Sequence, residues 1–300
     1  MTNTTLPLTA NYEIVFTNDG SPSLRDLKGA NQESMHHSGG AYSETQLIYG
    51  ENIRQGLIQF QQQRNGHLND HNNNHTNSQQ ASRGHVANNA NASAESALKS
   101  QTLVVGLGLG YIELLWSFEC LNIFGQNLDS PIFSTLHLHS FESDPFLRNS
   151  FIDFFLNDSD TVLMPVYQQI LEYFLKDSRY QNINADLVKK FLRISYLAQR
   201  LKFFAAIEPE FPISWRDLPN EKNNYAIICY DAFSSKTSPH LWEENFLQRF
   251  FQTLAAPISC VSTYACTGAL KRSLKSNDFT LDLRHGFSGK RQCTFARKGF

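Results

Sequence analysis

A chain of 300 residues, 41% of them hydrophobic, is long enough for one large domain or two modest ones and can bury a sizeable core. Its formal charge of −2 excludes a uniformly basic nucleic-acid coat and leaves room only for a local basic patch. Cys120, Cys229, Cys260, Cys266 and Cys293 lack Cys-x-x-Cys spacing, which favours reduced thiols over disulfides or zinc. No apolar run reaches membrane-spanning length and residues 1–8 carry no secretory pattern, so a cytoplasmic protein without membrane contact is expected.

Residues 12–16 alternate as a short strand, and Asn18-Asp19-Gly20 is a turn that can join it to a second strand at Ser23 to Leu27. A small N-terminal hairpin is predicted. The next stretch, Ser34 to Gln46, is dense in polar and aromatic groups around a Gly39-Gly40 pivot and is expected to be a polar loop. His36 and His37 could be metal ligands, but adjacent residues point to different sides of a regular element and no third ligand stands at zinc-like spacing. No metal is expected. From Gln59 to Asn91 the chain is mostly Gln, Asn, His, Ser and Gly, which cannot bury enough to offset ordering entropy, so residues 59–97 are predicted to be a disordered insertion. Its histidines, His67, His71, His75 and His85, are read as compositional drift.

Gln101 to Leu115 carries the strongest signal. Leu103 to Val105 is a short apolar run, Gly106, Gly108 and Gly110 follow at alternate positions, and a helical pattern opens at Tyr111. Glycine allows positive φ and close approach of a ligand, and the helix N-terminus offers unpaired N–H groups. A dinucleotide fingerprint needs a glycine three residues after the second, where this chain has Tyr111. The spacing therefore favours S-adenosylmethionine (SAM) over a pyrophosphate cofactor, with a nicotinamide enzyme of irregular loop as the alternative. A helix over Ile112 to Leu121 and a loop over Phe124 to Phe133 precede the alternating strand Leu136 to Phe141. Glu142 ends that strand, where a carboxylate can accept both hydroxyls of a ribose, whereas Asp144 before Pro145 is expected to be an N-cap.

Residues 145–206 are expected to be a helical insertion, with helices over Phe146 to Leu156, Val166 to Leu175 and Ala185 to Phe204. In the last of these Leu187, Phe191, Ile194 and Leu197 or Ala198 form the apolar stripe, and Lys189, Lys190, Arg193, Arg200 and Lys202 a solvated face. Tyr225 to Tyr230 is a continuous apolar run of the kind found in a central parallel strand, ending at Asp231-Ala232-Phe233-Ser234. Ser238-Pro239 is expected to open a helix that buries Leu241, Phe246, Phe250 and Leu254. A strand over Ile258 to Tyr264, a helix over Thr267 to Leu274 and an antiparallel pair, Phe279 to Leu283 with Gln292 to Ala296, complete an open α/β sheet. Gly106 to Gly110, Glu142 and Asp231 all fall at carboxyl ends of its strands, where such sheets bind ligands.

The chain resembles the SAM-dependent methyltransferases that complete the 5-methylaminomethyl-2-thiouridine modification at the tRNA wobble position. The resemblance is carried by Asn18 to Ser21, Met35 to Gln46, Val105 to Tyr111, Asp231 to Ser234, Leu241-Trp242 and Gly286 to Arg291, short stretches spread between residues 18 and 291. It implies a Rossmann-like class I methyltransferase domain over residues 98–300, with an N-terminal β-hairpin extension over 1–58 that contributes to the site. It also implies that Gly106, Gly108 and Gly110 line the cofactor, Glu142 takes the ribose and Asp231 faces the amine to be methylated. Glu44 and Asn52 are further cofactor candidates, Asp217 a candidate for the adenine, and Phe233, Lys271, Arg272, Lys290 and Arg291 candidates for substrate and tRNA contact.

Three departures stand out. The proline that follows Asp-Ala-Phe-Ser in the family is Ser235 here, the polar segment near 59–91 is an insertion, and no flavin domain is expected after Phe300, so the aminomethyl substrate is expected from a separate enzyme. The rival readings are a small-molecule amine methyltransferase and a non-catalytic interaction module on a degenerate fold.

Overall fold

The computed structural model describes residues 5–9, 11–28, 32–77, 99–157, 161–205, 207, 224–289 and 292–300. Two sheets organise the chain. The smaller is a three-stranded antiparallel meander of β1 (Thr5–Pro7), β2 (Tyr12–Phe16) and β3 (Pro22–Asp26), which contains the expected hairpin and one further strand. The larger has seven strands: β4 (Ser100–Val105), β5 (Leu136–Phe141), β6 (Leu201–Phe204), β7 (Tyr225–Tyr230), β8 (Ala255–Thr263), β9 (Thr280–Arg284) and β10 (Cys293–Lys298). Their spatial order is β6-β5-β4-β7-β8-β10-β9; the first five run parallel, and β10 inserts antiparallel between β8 and β9.

This order has one reversal point. The chain steps outward from β4 through β5 to β6 and then returns to lay β7 on the other flank of β4. A crevice at the carboxyl ends of β4 and β7 follows, because their outgoing loops leave toward opposite sides.

Residues along the central strands alternate between two cores, as period-two geometry requires. Val104, Ile227 and Cys229 face the core formed with α2 (Glu51–Asn77), α3 (Tyr111–Phe124), α5 (Met164–Lys176) and α6 (Ala185–Leu197). Leu103, Val105, Ile228 and Tyr230 face the other, formed with α7 (Glu244–Leu254) and α8 (Gly268–Lys275). The helix α4 (Pro145–Leu156) starts as expected: Asp144 accepts from the Phe146 N–H at 2.8 Å, with Pro145 at the first helical position. Cys120, Cys229, Cys260 and Cys293 are buried, and all five cysteines are unpaired thiols. Among the described residues no helix is long and apolar enough to cross a membrane.

Several local expectations are corrected. The stretch expected to be a loop after Gly40 is helical: α1 (Ala41–Thr45) runs through a π-helical turn, Gln46–Gly50, into α2. This continuous helix packs on the large sheet closely enough that a Cβ at Gly56 would lie 2.3 Å from Ile227. It carries the polar segment as far as Asn77, so the part of that segment over 59–77 is helix, and residues 78–98 lie outside those described. The helix expected to continue to Phe204 stops at Leu197, because Gln199 takes φ 58° and the chain turns into β6 to pair with β5. Arg200 is consequently buried, donating to the Phe133 carbonyl, and Lys202 lies on a strand, so neither belongs to a solvated helix face. The buried stripe of α6 is Val188, Phe191, Leu192 and Ser195, while Leu197 is 64% exposed. Ser238 makes no side-chain cap; Pro239–Trp242 is a single 3₁₀ turn and α7 starts five residues later than Pro239, at Glu244.

The first turn of α3 carries a buried carboxyl. Glu113 has no exposed surface, accepts from the Ser140 hydroxyl at 2.6 Å through Oε1, and its Oε2 has no hydrogen-bond partner among the described residues. Burial pushes this carboxyl up to about 8 despite the Ser140 bond. The folded chain therefore retains a proton that the unfolded chain loses near 4.5, and this group's stabilisation is complete below that pH and is lost as pH rises to about 8. Glu113→Gln keeps an acceptor for Ser140 and removes the titration. The expected result is a thermal midpoint that declines less between pH 5 and pH 8 than in the wild type; parallel declines would show that Glu113 does not titrate in this window.

Candidate active site

The crevice between β4 and β7 opens into a cavity of about 420 Å³. Its floor is made by two strand ends in contact. The Asp231 N–H donates to the Val105 carbonyl at 2.8 Å, continuing the parallel ladder one step past β7. The Asp231 carbonyl then faces the Cα of Gly106, where a Cβ would sit 2.5 Å from the oxygen. Gly106 also has φ 98°, in the region that disfavours side chains. Only glycine fits this position.

Gly108, at φ 52°, donates its N–H to Glu142 Oε2 at 3.0 Å. Glu142 Oε1 accepts from the Asp144 N–H at 2.8 Å, so backbone donors fix both carboxylate oxygens at the end of β5. Burial nevertheless raises this carboxyl above its ordinary value. Gly110 differs from its neighbours: it precedes α3 at φ 71° and lies against Phe151, which a Cβ would meet at 2.3 Å. It shapes the turn and does not line the cavity.

The far wall comes from the N-terminal extension. Asp19 organises it by accepting from the Thr17 hydroxyl at 2.8 Å, the Ser21 N–H and hydroxyl at 3.0 and 2.5 Å, and the Ser43 N–H and hydroxyl at 3.1 and 2.7 Å. Burial alone would raise the Asp19 carboxyl, but these bonds outweigh it and hold it below its ordinary value. Glu44 is buried on α1 and accepts from the His37 N–H at 2.6 Å. The His37 ring meets Phe287 edge-on, and Gly39 lies against Ser288, so the C-terminal loop closes on the same wall. Glu33 reaches across to the loop after β7, accepting from the Ser234 N–H and hydroxyl at 3.2 and 3.0 Å and from the Thr237 hydroxyl at 2.5 Å. Trp242 and Tyr264 complete this clamp by donating to the carbonyls of Phe233 at 2.6 Å and Ala232 at 2.8 Å.

The structure thus brings Gly106, Gly108, Glu142, Glu44, Asp231 and Phe233 to one cavity. Asn52 is not among them. It is fully buried in α2 and donates to the Ile228 carbonyl at 3.2 Å, a packing role between helix and sheet. Lys271 and Arg272 lie on α8 and do not line the cavity; Arg272 pairs with Glu244 at 2.6 Å. Asp217, Lys290 and Arg291 lie outside the described residues. Tyr49, Tyr111, Tyr264 and Glu33 line the cavity but were not site candidates from the sequence.

The charge of the lining is one-sided. Glu33, Glu44, Glu142 and Asp231 are carboxylates, His36, His37 and His240 are the basic-type side chains, and no lysine or arginine lines the cavity among the described residues. Such a chamber favours a cationic ligand over a phosphate or carboxylate. SAM fits it: Gly106 and Gly108 leave room for backbone approach, Glu142 offers a fixed carboxylate to a ribose, and the acidic lining complements a sulfonium. Among the described residues no group of His, Cys, Asp and Glu is arranged to hold a metal ion.

The chain is similar to known proteins in sequence over its C-terminal part and in fold over most of its length. Residues 180–299 match a family described as S-adenosyl-L-methionine-dependent methyltransferase. The solved structure of MNMC2 from Aquifex aeolicus superposes with a TM-score of 0.54 at 18% identity, over 97% of this chain and 72% of that one. A predicted O-methyltransferase from Agrobacterium tumefaciens gives a TM-score of 0.34 at 9% identity, over 67% of this chain and 74% of that one.

The contact at Gly106 can be tested directly. Gly106→Ala places a methyl group against the Asp231 carbonyl at positive φ, a strain of about 1 to 3 kcal/mol. SAM affinity by calorimetry is expected to fall about tenfold or more. Gly66→Ala, where a Cβ meets nothing within 4 Å, is the control and should bind as the wild type does. Equal affinities for all three proteins would show that the strand ends do not form the cofactor floor.

Proposed function

We propose that this chain, a SAM-dependent methyltransferase of the family that residues 180–299 match, methylates the primary amine of an aminomethyl-modified wobble uridine in tRNA. The observation that carries the reading is the acidic cavity, in which Asp231 stands directly beside the glycine floor and no lysine or arginine is present among the described lining residues. An amine is the acceptor such a chamber suits, whereas an acidic acceptor would be repelled. The sequence stretches that resemble the tRNA wobble-uridine methyltransferases support the finer substrate, because Met35 to Ser38, Glu44 and Asp231 to Phe233 line this cavity and Phe287 and Ser288 pack against His37 and Gly39.

When bound, SAM supplies an electrophilic methyl group, so that the amine nitrogen forms the new N–C bond as the C–S bond breaks and its electron pair stays on sulfur. The chain's residues meet the remaining requirements. Gly106 and Gly108 admit the cofactor to the floor, Glu142 is placed for the ribose hydroxyls, and Asp231 accepts an N–H of the amine and aims its lone pair. Phe233, held through its carbonyl by Trp242, offers a ring to the base. The secondary ammonium that forms releases its proton to solvent.

Contact with the tRNA phosphates falls to exposed cations outside the cavity. Lys236 and Lys275 are exposed, and Arg272 and Arg284 are tied in surface ion pairs with Glu244 and Glu51. Solvent screens such surface pairs, so they add little stability and either arginine can exchange its carboxylate for a phosphate.

Incubation with methyl-labelled SAM and hypomodified tRNA is expected to label the aminomethyl uridine. Asp231→Ala should retain SAM affinity within about threefold and lose about a hundredfold or more of turnover. Unchanged turnover would remove Asp231 from the mechanism. Equal labelling of a small amine with and without RNA would instead favour a small-molecule acceptor.

A further inference from the structure

Tyr49 is buried in the π-helical turn Gln46–Gly50, which joins the short helix α1 to the long helix α2. A widened turn inside a helix is a recurrent feature of functional sites. Here it brings the Tyr49 hydroxyl to Asp231, where it donates to Oδ1 at 2.5 Å across 182 residues of sequence. We propose that Tyr49 is a positioning residue for methyl transfer, holding the Asp231 carboxylate ionised and in place while drawing off part of its charge. This rests on the reading of Asp231 as the carboxylate that faces the amine.

A carboxylate in that position has opposed tasks. It must accept an N–H to orient the nucleophile, yet a strongly basic carboxylate stabilises the ammonium form and keeps the lone pair occupied. A hydrogen bond donated to its other oxygen spreads the negative charge and weakens its hold on the ammonium proton. Tyr49 can make that donation at every working pH, because burial, and next the neighbouring Asp231 charge, push its phenol well above the ordinary value.

Other titratable groups face the same space. Glu44 on α1, Glu33 on the N-terminal loop and Cys229 on β7 are acids, and Tyr264 after β8 donates to the Ala232 carbonyl at 2.8 Å. His36, His37 and His240 share the cavity, and the described lining contains no lysine or arginine that could offset the Asp231 charge.

Tyr49→Phe removes the hydroxyl and keeps the buried ring. Carbon-13 NMR of aspartate-labelled protein, with the Asp231 signal identified by its loss in Asp231→Asn, reads the carboxyl directly. In Tyr49→Phe the Asp231 midpoint is expected to rise by about one unit. The acid limb of kcat against pH for the aminomethyl acceptor should move upward with it, while SAM affinity stays within about twofold. An unchanged midpoint overturns the proposal whatever the acceptor proves to be, and so does a raised midpoint with a kcat profile that superimposes on the wild type. Failure of the wild-type protein to label tRNA overturns the substrate reading alone, since the titration still decides the part played by Tyr49.

Discussion

The contact between the Asp231 carbonyl and the Cα of Gly106 is the constraint on which the site depends. Two parallel strands can place their outgoing loops this close only where the sheet order reverses and one loop lacks a side chain. The cofactor floor and the reacting carboxylate are then a single construction. A shift of β7 against β4 would move Asp231 and open the floor together, so the hydrogen bond from the Asp231 N–H to the Val105 carbonyl fixes both.

The large sheet alone builds only half of the cavity. The other half is folded from residues before β4, and its rigidity comes from carboxylates used as knots. Asp19 ties the β2–β3 turn to α1, Glu44 ties α1 to the backbone of His37, and Glu33 ties the extension to the loop after β7. The last knot holds the loop after β7 through a side chain that gathers one backbone and two hydroxyl donors.

The central strands β4, β5 and β7 and their ends were legible because β4 and β7 contain continuous apolar runs and β5 alternates, and because Gly106, Glu142 and Asp231 follow β4, β5 and β7 respectively. The helix after Gly40 was not. Ala41, Glu44, Thr45, Ile48, Tyr49, Asn52, Ile53, Leu57 and Phe60 are all buried at helical spacing, but five of them are polar or aromatic and they follow a glycine pair that signals a loop. Asn52 was misplaced for the same reason, since a carboxamide bonded to a strand carbonyl looks in sequence like one aimed at a ligand. The stop of α6 at Gln199 lacks the glycine that usually marks positive φ. Contacts such as Tyr49 to Asp231 join residues 182 apart, and local pattern carries no trace of them.

On the proposed reading, the electrostatics of the cavity pull in two directions. Four carboxylates attract an amine but also favour its protonated form, which cannot attack. A sulfonium beside the same site acts oppositely, because a neighbouring positive charge disfavours the ammonium. Glu142, whose carboxyl burial already raises, and Glu33, whose charge is shared with three hydrogen-bond donors, add less negative potential at the nitrogen than their number suggests. The balance then falls on the carboxylate nearest the amine. With Tyr49 donating to one of its oxygens, Asp231 remains charged enough to orient an N–H and is a weak enough base to let the proton go.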